Sequence, residues 1–495
     1  MNTSRLQWLC LALAGFLSLP SALRAAADAD GWLPLFDGKT LNGWKASENA
    51  GGFKVVDGAI AFEGKRSHLF YVGEVGHADF KNFELKADVR TQPRANSGIY
   101  FHTEFQAKDF PKKGFEAQVA NTHVGADGYV EMKKTGSLYG IRNLYKSLVK
   151  DDEWFAMRVS VRGKRIQIRL NDQLVVDYIE PENPVADPRR PGRRLSHGTF
   201  ALQGHDPESK VSFKNILVKP LPDNLPEYPD GPVRFDAVDE QIVRLGTANY
   251  PIVDFHTHLK GGLTPEAVVQ HMFKTGINHG VAVNCGLGFA ITNDAGIDGF
   301  VKSLAGQPVF VGMQAEGREW PTLFSPATVA RFDYVFTDSM TIFDHNGKRT
   351  RLWMTNEVEM PDPQAFMDHL VDTAVKILRE EPVDIYVNPT FLPDVIAKEY
   401  DTLWTPARMQ RVVDAAKQGG VAIELNSRYR LPGVAFVKLA KKAGLKFTLG
   451  INNTDPNLGR AEYALEMIQE CGLTYKDFWM PKPDGQKPIQ VKRAQ

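Results

Sequence analysis

At 495 residues the chain is too long for one ordinary domain, and two are the natural expectation. Its 59 basic and 59 acidic side chains cancel, so no global field favours nucleic acid or an anionic membrane surface. The hydrophobic share of 43% is that of a soluble globular protein.

The chain opens with the pattern of an export signal. Arg5 precedes an apolar run from Leu6 to Leu19, and Ala25-Ala26-Ala27 offers a cleavage site before Asp28, which makes residues 1–27 a signal peptide. The run is shorter than the ~20 residues a spanning helix needs, so it argues against an integral membrane anchor and for a periplasmic or secreted protein. Cys10 lies inside the run after Leu9, a poor setting for a lipid-modified cysteine. Only Cys285 and Cys471 follow, too few and too far apart for a disulfide framework.

Residues 30–221 read as an all-β domain. Phe83–Val89, Met157–Val161 and Ile166–Leu170 alternate apolar and polar side chains, and turns are marked by Asp37-Gly38, Asp57-Gly58, Arg162-Gly163 and Asn171-Asp172. With no amphipathic helix in this stretch, an antiparallel β-sandwich is predicted. The most informative piece is Asn96–Glu104 followed by Gly114–Val119. Alternation puts Ile99, Phe101 and Thr103 on one face, and Tyr100, His102 and Glu104 on the other. In the second strand Phe115, Ala117 and Val119 oppose Glu116 and Gln118. Acids, an amide, an imidazole and a phenol on one side of two neighbouring strands describe the inside of a polar cleft.

Residues 222–250 read as a linker, since Pro222, Pro226, Pro229 and Pro232 follow Pro220 too closely for a central strand or a helix. From 251 to 480 the period changes, before a tail at 481–495. Seven short apolar runs, Ile252–Phe255, Gly280–Asn284, Val309–Met313, Tyr334–Thr337, Ile385–Val387, Val421–Leu425 and Phe447–Gly450, are spaced by helical segments. Among the latter are Asp362–Arg379, Pro406–Gln418, Val434–Ala443 and Gly459–Glu470. Repeated βα units predict a closed parallel (βα)7 barrel with its chemistry at the carboxyl ends of the strands. The fold class is therefore multidomain: an all-β jelly-roll sandwich followed by an α/β barrel.

Several blocks of the first domain, in order, carry a resemblance. Leu35–Trp44, Asn96–Glu104, Gly114–Val119, Thr135–Tyr139, Leu202–His205 and Val211–Ile216 resemble the 3-keto-disaccharide hydrolase family, which has a concanavalin-like jelly-roll fold. The resemblance implies a carbohydrate substrate, a glycoside whose sugar ring carries a ketone at carbon 3. Such a ketone acidifies the hydrogen on carbon 2, so a carboxylate base can remove it while the glycosidic oxygen leaves from carbon 1. Water adding to the enone completes a net hydrolysis. The candidates are Glu116 as base and Gln118 as an orienting donor, with His102, Glu104 and Tyr139 beside them and Tyr100, Gln203 and His205 binding substrate. Glu104 reads equally as a solvated edge charge, and Tyr139 as a core aromatic. His102 stands where the family more often has Arg, which would make the electrophile's charge depend on pH. The run Arg189-Arg190-Pro191-Gly192-Arg193-Arg194 reads as a solvated loop.

In the second half, Asp254-Phe255-His256-Thr257-His258 closes the first barrel strand with two imidazoles pointing one way. With Glu316 or Asp338, His256 and His258 would make an N/O site for zinc, manganese or iron. The opening His-x-His, the Glu316 strand and Glu424-Leu425-Asn426 resemble the polymerase-and-histidinol-phosphatase (PHP) barrel of metal-dependent phosphoesterases. Asn388-Pro389 stands where that family has His-Pro, and Asn452-Asn453-Thr454 where it has an Asp-x-His pair. The expectation is at most one divalent ion there, or a site turned to sugar binding. The alternative reading of the whole is a lectin-like sandwich attached to a metal-dependent hydrolase barrel. Oligomeric state is not legible.

Overall fold

The alternating strands of the N-terminal half are laid down as two antiparallel sheets in the computed structural model, which describes residues 28–126, 128–225, 232–343 and 347–492. The export-signal reading of residues 1–27 falls outside them. In chain order the strands are β1 (Leu33–Pro34), β2 (Trp44–Ala46), β3 (Phe53–Val56), β4 (Ala59–Phe62), β5 (Ser67–Tyr71), β6 (Phe83–Thr91) and β7 (Asn96–Thr103). They continue with β8 (Phe115–Ala120), β9 (Phe155–Arg162), β10 (Arg165–Leu170), β11 (Gln173–Ile179), β12 (Thr199–Gly204) and β13 (Val211–Pro220). One sheet runs β11-β10-β9-β6-β13-β4-β3, with β1 beside β13, and the other runs β2-β5-β12-β7-β8.

Phe83, Leu85, Ala87 and Val89 of β6 face Ile99 and Phe101 of β7 and Phe115, Ala117 and Val119 of β8 in one buried core. Burying each of the larger side chains contributes about 1.5–3 kcal/mol. The opposite face of the smaller sheet is not solvated: every residue of β7, β8 and β12 is buried. Glu131 and Tyr139, from the chain after β8, and Arg189 and Arg190, from the chain after β11, stand over its second face and roof the polar side chains there.

The stretch read as a linker contains a helix. α1 (Ala237–Thr247) starts at an Asp236–Asp239 capping box and buries Ile242, Val243 and Gly246.

The barrel strands β14 (Val253–His258), β15 (Asn278–Cys285), β16 (Phe310–Ala315) and β17 (Tyr334–Thr337) precede a small hairpin, β18 (Thr341–Phe343) and β19 (Arg349–Arg351). β20 (Ile385–Tyr386), β21 (Ala422–Asn426) and β22 (Phe447–Gly450) complete it. β14-β15-β16-β17-β20-β21-β22 close into a seven-stranded barrel, all neighbours parallel. Helices Pro363–Glu380, Pro406–Gly419, Val434–Ala443 and Glu462–Glu470 lie where the period put them, and Cys285 and Cys471 are free and buried. No described helix is long and apolar enough to cross a membrane.

The sandwich docks on the amino ends of the barrel strands. The buried Arg142 donates to the carbonyls of Phe273 (2.9 Å) and Lys274 (2.8 Å), late in helix α2 (Pro265–Thr275), where carbonyls lack intrahelical partners. Asn278 Nδ2 donates to the Asn143 carbonyl (2.7 Å), Tyr145 Oη to the Tyr250 carbonyl (2.8 Å), and Lys146 Nζ pairs with Asp333 (2.8 Å). Asn278 begins β15, while Tyr250 and Asp333 precede β14 and β17. The carboxyl ends of the barrel strands therefore open away from the sandwich.

Candidate active site

Glu116 sits on β8 directly across from Tyr100 on β7, on the roofed face of the smaller sheet. Its carboxylate lies over Gly98: a Cβ there would stand 2.6 Å from Oε1, so this position requires glycine for close approach. Three donors hold the carboxylate. Tyr100 Oη donates to Oε2 (2.9 Å), Gln203 Nε2 to Oε1 (2.9 Å), and Arg190 to Oε2 (3.2 Å). Burial raises the Glu116 pKa above its ordinary 4.5, against the opposing pull of Arg190 and the Tyr100 hydroxyl. The result is a carboxylate more basic than a solvated one, yet with a fixed cation at its side.

Arg190 comes from a loop pinned from within. Asp187 accepts from the Arg189 amide (3.0 Å) and lies 3.6 Å from Arg193, and Arg190 Cζ rests 4.5 Å above the Tyr139 ring. Tyr139 Oη donates to Glu131 Oε2 (3.3 Å), and Glu131 pairs with the buried Lys133 (2.8 Å). Gln118 Nε2 donates to Asn96 Oδ1 (3.2 Å), while the side-chain oxygens of Gln118 and Gln203 are buried without a protein donor. Glu116, Gln118, Tyr139, Arg190, Gln203 and His205 together line a cavity of about 390 Å³, within the size range of small-ligand sites. A larger groove of about 560 Å³ lies on the outer face of the other sheet. It is walled by arginines, of which Arg162 and Arg165 are paired with Glu84 and Asp177.

At the barrel mouth the polar groups are tied to each other. His256 Nδ1 bonds Glu424 Oε1 (2.5 Å), and Glu424 Oε2 accepts from the Asn388 amide (2.8 Å) and Asn426 Nδ2 (3.0 Å). Asn388 Oδ1 accepts from Asn426 (2.9 Å) and Asn452 (3.2 Å), and its Nδ2 donates to Asp338 (3.0 Å). Asn388 and Asn452 both have left-handed backbones, φ 49° and 54°, which Asn tolerates better than most residues. His258 Nδ1 bonds the Ala282 carbonyl (3.1 Å), and Glu316 accepts from Asn284 (2.7 Å). Burial, with the like charge of Asp338, pushes Glu316 up to about 8.

Residues 31–219 match the family described as a 3-keto-alpha-glucoside-1,2-lyase-like domain. A 3-keto-disaccharide hydrolase of Bacteroides thetaiotaomicron is 35% identical over 96 residues, which cover 18% of this chain and 33% of that protein. The chain thus spans about a third of that relative's length. Among solved structures, a proposed glycosyl hydrolase of Parabacteroides distasonis is similar over 39% of this chain and 95% of its own, at 25% identity and a TM-score of 0.33. A histidinol phosphate phosphatase of Lactococcus lactis is similar over 49% of this chain and 98% of its own, at 11% identity and a TM-score of 0.34.

Within residues 31–219 the structure brings Tyr100, Glu116, Gln118, Tyr139, Gln203 and His205 to one cavity or its wall. His102 is not among them. Its φ of 54° breaks the strand alternation, so the imidazole leaves the Tyr100 face and packs on Phe83 and Phe101. There Nε2 bonds the Lys81 carbonyl (2.9 Å) and Nδ1 accepts from the Ser196 amide (3.2 Å). Burial drops its pKa to about 4, so the expected pH-dependent cation at His102 is replaced by the permanent charge of Arg190. Glu104 lies past the strand end, exposed, and pairs with Lys113 (3.1 Å). Arg190, Asn96 and Glu131 were missed. The available signal was that two prolines bracket Arg189-Arg190 after Asp187, which marks a stiff loop rather than a solvated charge run.

For the barrel, each imidazole of His256 and His258 has Nδ1 engaged, leaving Nε2 as its ligating atom. Among the described residues, however, no three ligand atoms of His256, His258, Glu316 and Asp338 gather within 4.8 Å of one another. The residues as placed do not form a three-donor metal centre.

Proposed function

We propose that the sandwich cleaves 3-keto-glycosides by proton removal at carbon 2. The observation that carries this is Glu116: a buried carboxylate of raised pKa, beside a fixed guanidinium, on the wall of a polar cavity inside the 31–219 match. Glu116 takes the carbon 2 proton, and the electron pair moves into a carbon 1–carbon 2 double bond as the glycosidic carbon–oxygen bond breaks. Arg190 stabilises the enolate charge that builds on the ketone oxygen, and the leaving oxygen takes up a proton. Water then adds across the double bond, so the net change is hydrolysis. Gln118 and Gln203, each with a buried side-chain oxygen free of protein donors, orient sugar hydroxyls.

The test is turnover of a 3-keto-disaccharide by the full chain in deuterated water. Deuterium should appear at carbon 2 of the product, and Glu116→Gln should abolish turnover. Unlabelled product would point to direct hydrolysis, and sugar binding without turnover to the lectin-like reading. The N-terminal pattern further supports export, tested by sequencing the mature N-terminus after secretion.

A further inference from the structure

We propose that His123, His205 and Asp206 form a binding site for one divalent cation of the zinc, cobalt and manganese class in the wall of the sandwich cavity. One ligand atom from each of these three residues lies within 4.8 Å of the other two, the only such set of three or more His, Cys, Asp or Glu among the described residues. His205 Nδ1 is 2.8 Å from Asp206 Oδ2, and His123 Nε2 is 4.0 Å from the same oxygen. A tetrahedral ion bound at about 2.0–2.1 Å holds its donors roughly 3.3 Å apart. Side-chain rotations that open the first contact and close the second therefore suffice.

The surrounding hydrogen bonds prepare each ligand. The Asp206 Oδ1 oxygen accepts from the Glu208 amide (2.9 Å), the Ser209 amide (3.0 Å) and Ser209 Oγ (3.0 Å). The carboxylate is thereby locked with Oδ2 turned to the imidazoles. His123 is buried, and its Nδ1 bonds the Arg94 carbonyl at 2.8 Å. A carbonyl only accepts, so the hydrogen is on Nδ1 and the lone pair on Nε2, the tautomer a metal takes. Two nitrogens and one carboxylate oxygen suit a borderline cation, whereas calcium and magnesium prefer oxygen donors throughout. Three protein ligands leave a coordination position open. His205 lines the same cavity as Glu116 and Gln203, so that position faces the place a substrate would occupy. The ketone or a neighbouring hydroxyl of the sugar would fill it. That last role rests on the function proposed above, but the binding of the ion does not.

The test is calorimetric titration of the full chain, stripped with EDTA, with zinc chloride and no substrate. Wild type should bind zinc, with magnesium giving no comparable heat. Affinity should fall at least tenfold in His205→Ala and Asp206→Asn, both at partly exposed positions that fold more safely than a change at His123. Zinc should raise the melting temperature of wild type but not of these variants. The equivalent should persist in His256→Ala/His258→Ala, which removes the barrel imidazoles. Unchanged zinc affinity in His205→Ala and Asp206→Asn, or its loss only in the barrel variant, would overturn the site. Zinc binding without 3-keto-glycoside turnover leaves the site standing and sinks the proposed function, while turnover with no zinc bound does the reverse.

Discussion

Glu116 in the sandwich and Glu424 in the barrel are built alike and surrounded differently. Each is a buried strand carboxylate lying across a glycine of the neighbouring strand, Gly98 for Glu116 and Gly450 for Glu424. Around Glu424 the polar atoms use one another up: a histidine and two asparagines bond the carboxylate, and Asn388 Oδ1 takes two amide donors. Around Glu116 a guanidinium is fixed in place, and two glutamine oxygens stand without protein donors beside a cavity. A closed network specifies a structure, while one with unspent acceptors next to open space is set to receive a ligand. A buried carboxylate alone does not mark a catalytic site.

The sharpest way to break this comparison is to neutralise each acid in turn. Glu116→Gln should cost about 10³-fold or more in 3-keto-glycoside turnover, in line with removal of a general base, whereas Glu424→Gln should stay within about threefold. Equal losses would abolish the distinction. Next in size, Gly98→Ala pushes a methyl against the Glu116 carboxylate, a displacement of the kind worth roughly 100-fold in rate. Gly450→Ala should instead lower the melting temperature, with turnover at 25 °C little changed.

The pH profile sharpens the contrast further. A base must be deprotonated, so turnover should fall as pH drops through the raised Glu116 pKa, with a midpoint above 4.5. Arg190 favours the charged form, so Arg190→Met should move that midpoint to still higher pH, read from kcat/KM against pH. A midpoint that stays put would remove Arg190 from the site. The smallest effect belongs to the barrel: Asn388→Ala leaves buried partners unsatisfied and should cost about 1–3 kcal/mol in denaturant unfolding, with no change in the pH profile.

Much of this was legible because it is local. The alternation of Phe83–Val89 and the seven apolar runs gave the two sheets and the barrel strands within a few residues, since side-chain period and turn residues act over short distances. Glu116, Gln118 and Gln203 followed from the same alternation. His102 did not, because a single positive φ reverses the face and no local pattern announced it. Arg190 did not, because it reaches Glu116 across 74 positions of chain from a loop whose rigidity depends on Asp187. The asparagines of the barrel mouth were visible as departures from a metal-ligand pattern. Their bonding to one another was not, since it joins the ends of separate strands.

The sandwich-to-barrel contact also dictates how the protein can be taken apart. Lys133, buried beneath the cavity, is bonded to Asn249 (2.8 Å), just past α1, as well as to Glu131. The apolar residues of both halves form one continuous core. A cut in the proline-dense segment before α1 would strand Asn249 on one fragment and the Glu131–Lys133 pair on the other, and leave Arg142 without the helix end it caps. An inactive isolated sandwich would therefore report a collapsed floor rather than a missing catalyst. The barrel serves the Glu116 cavity as its foundation.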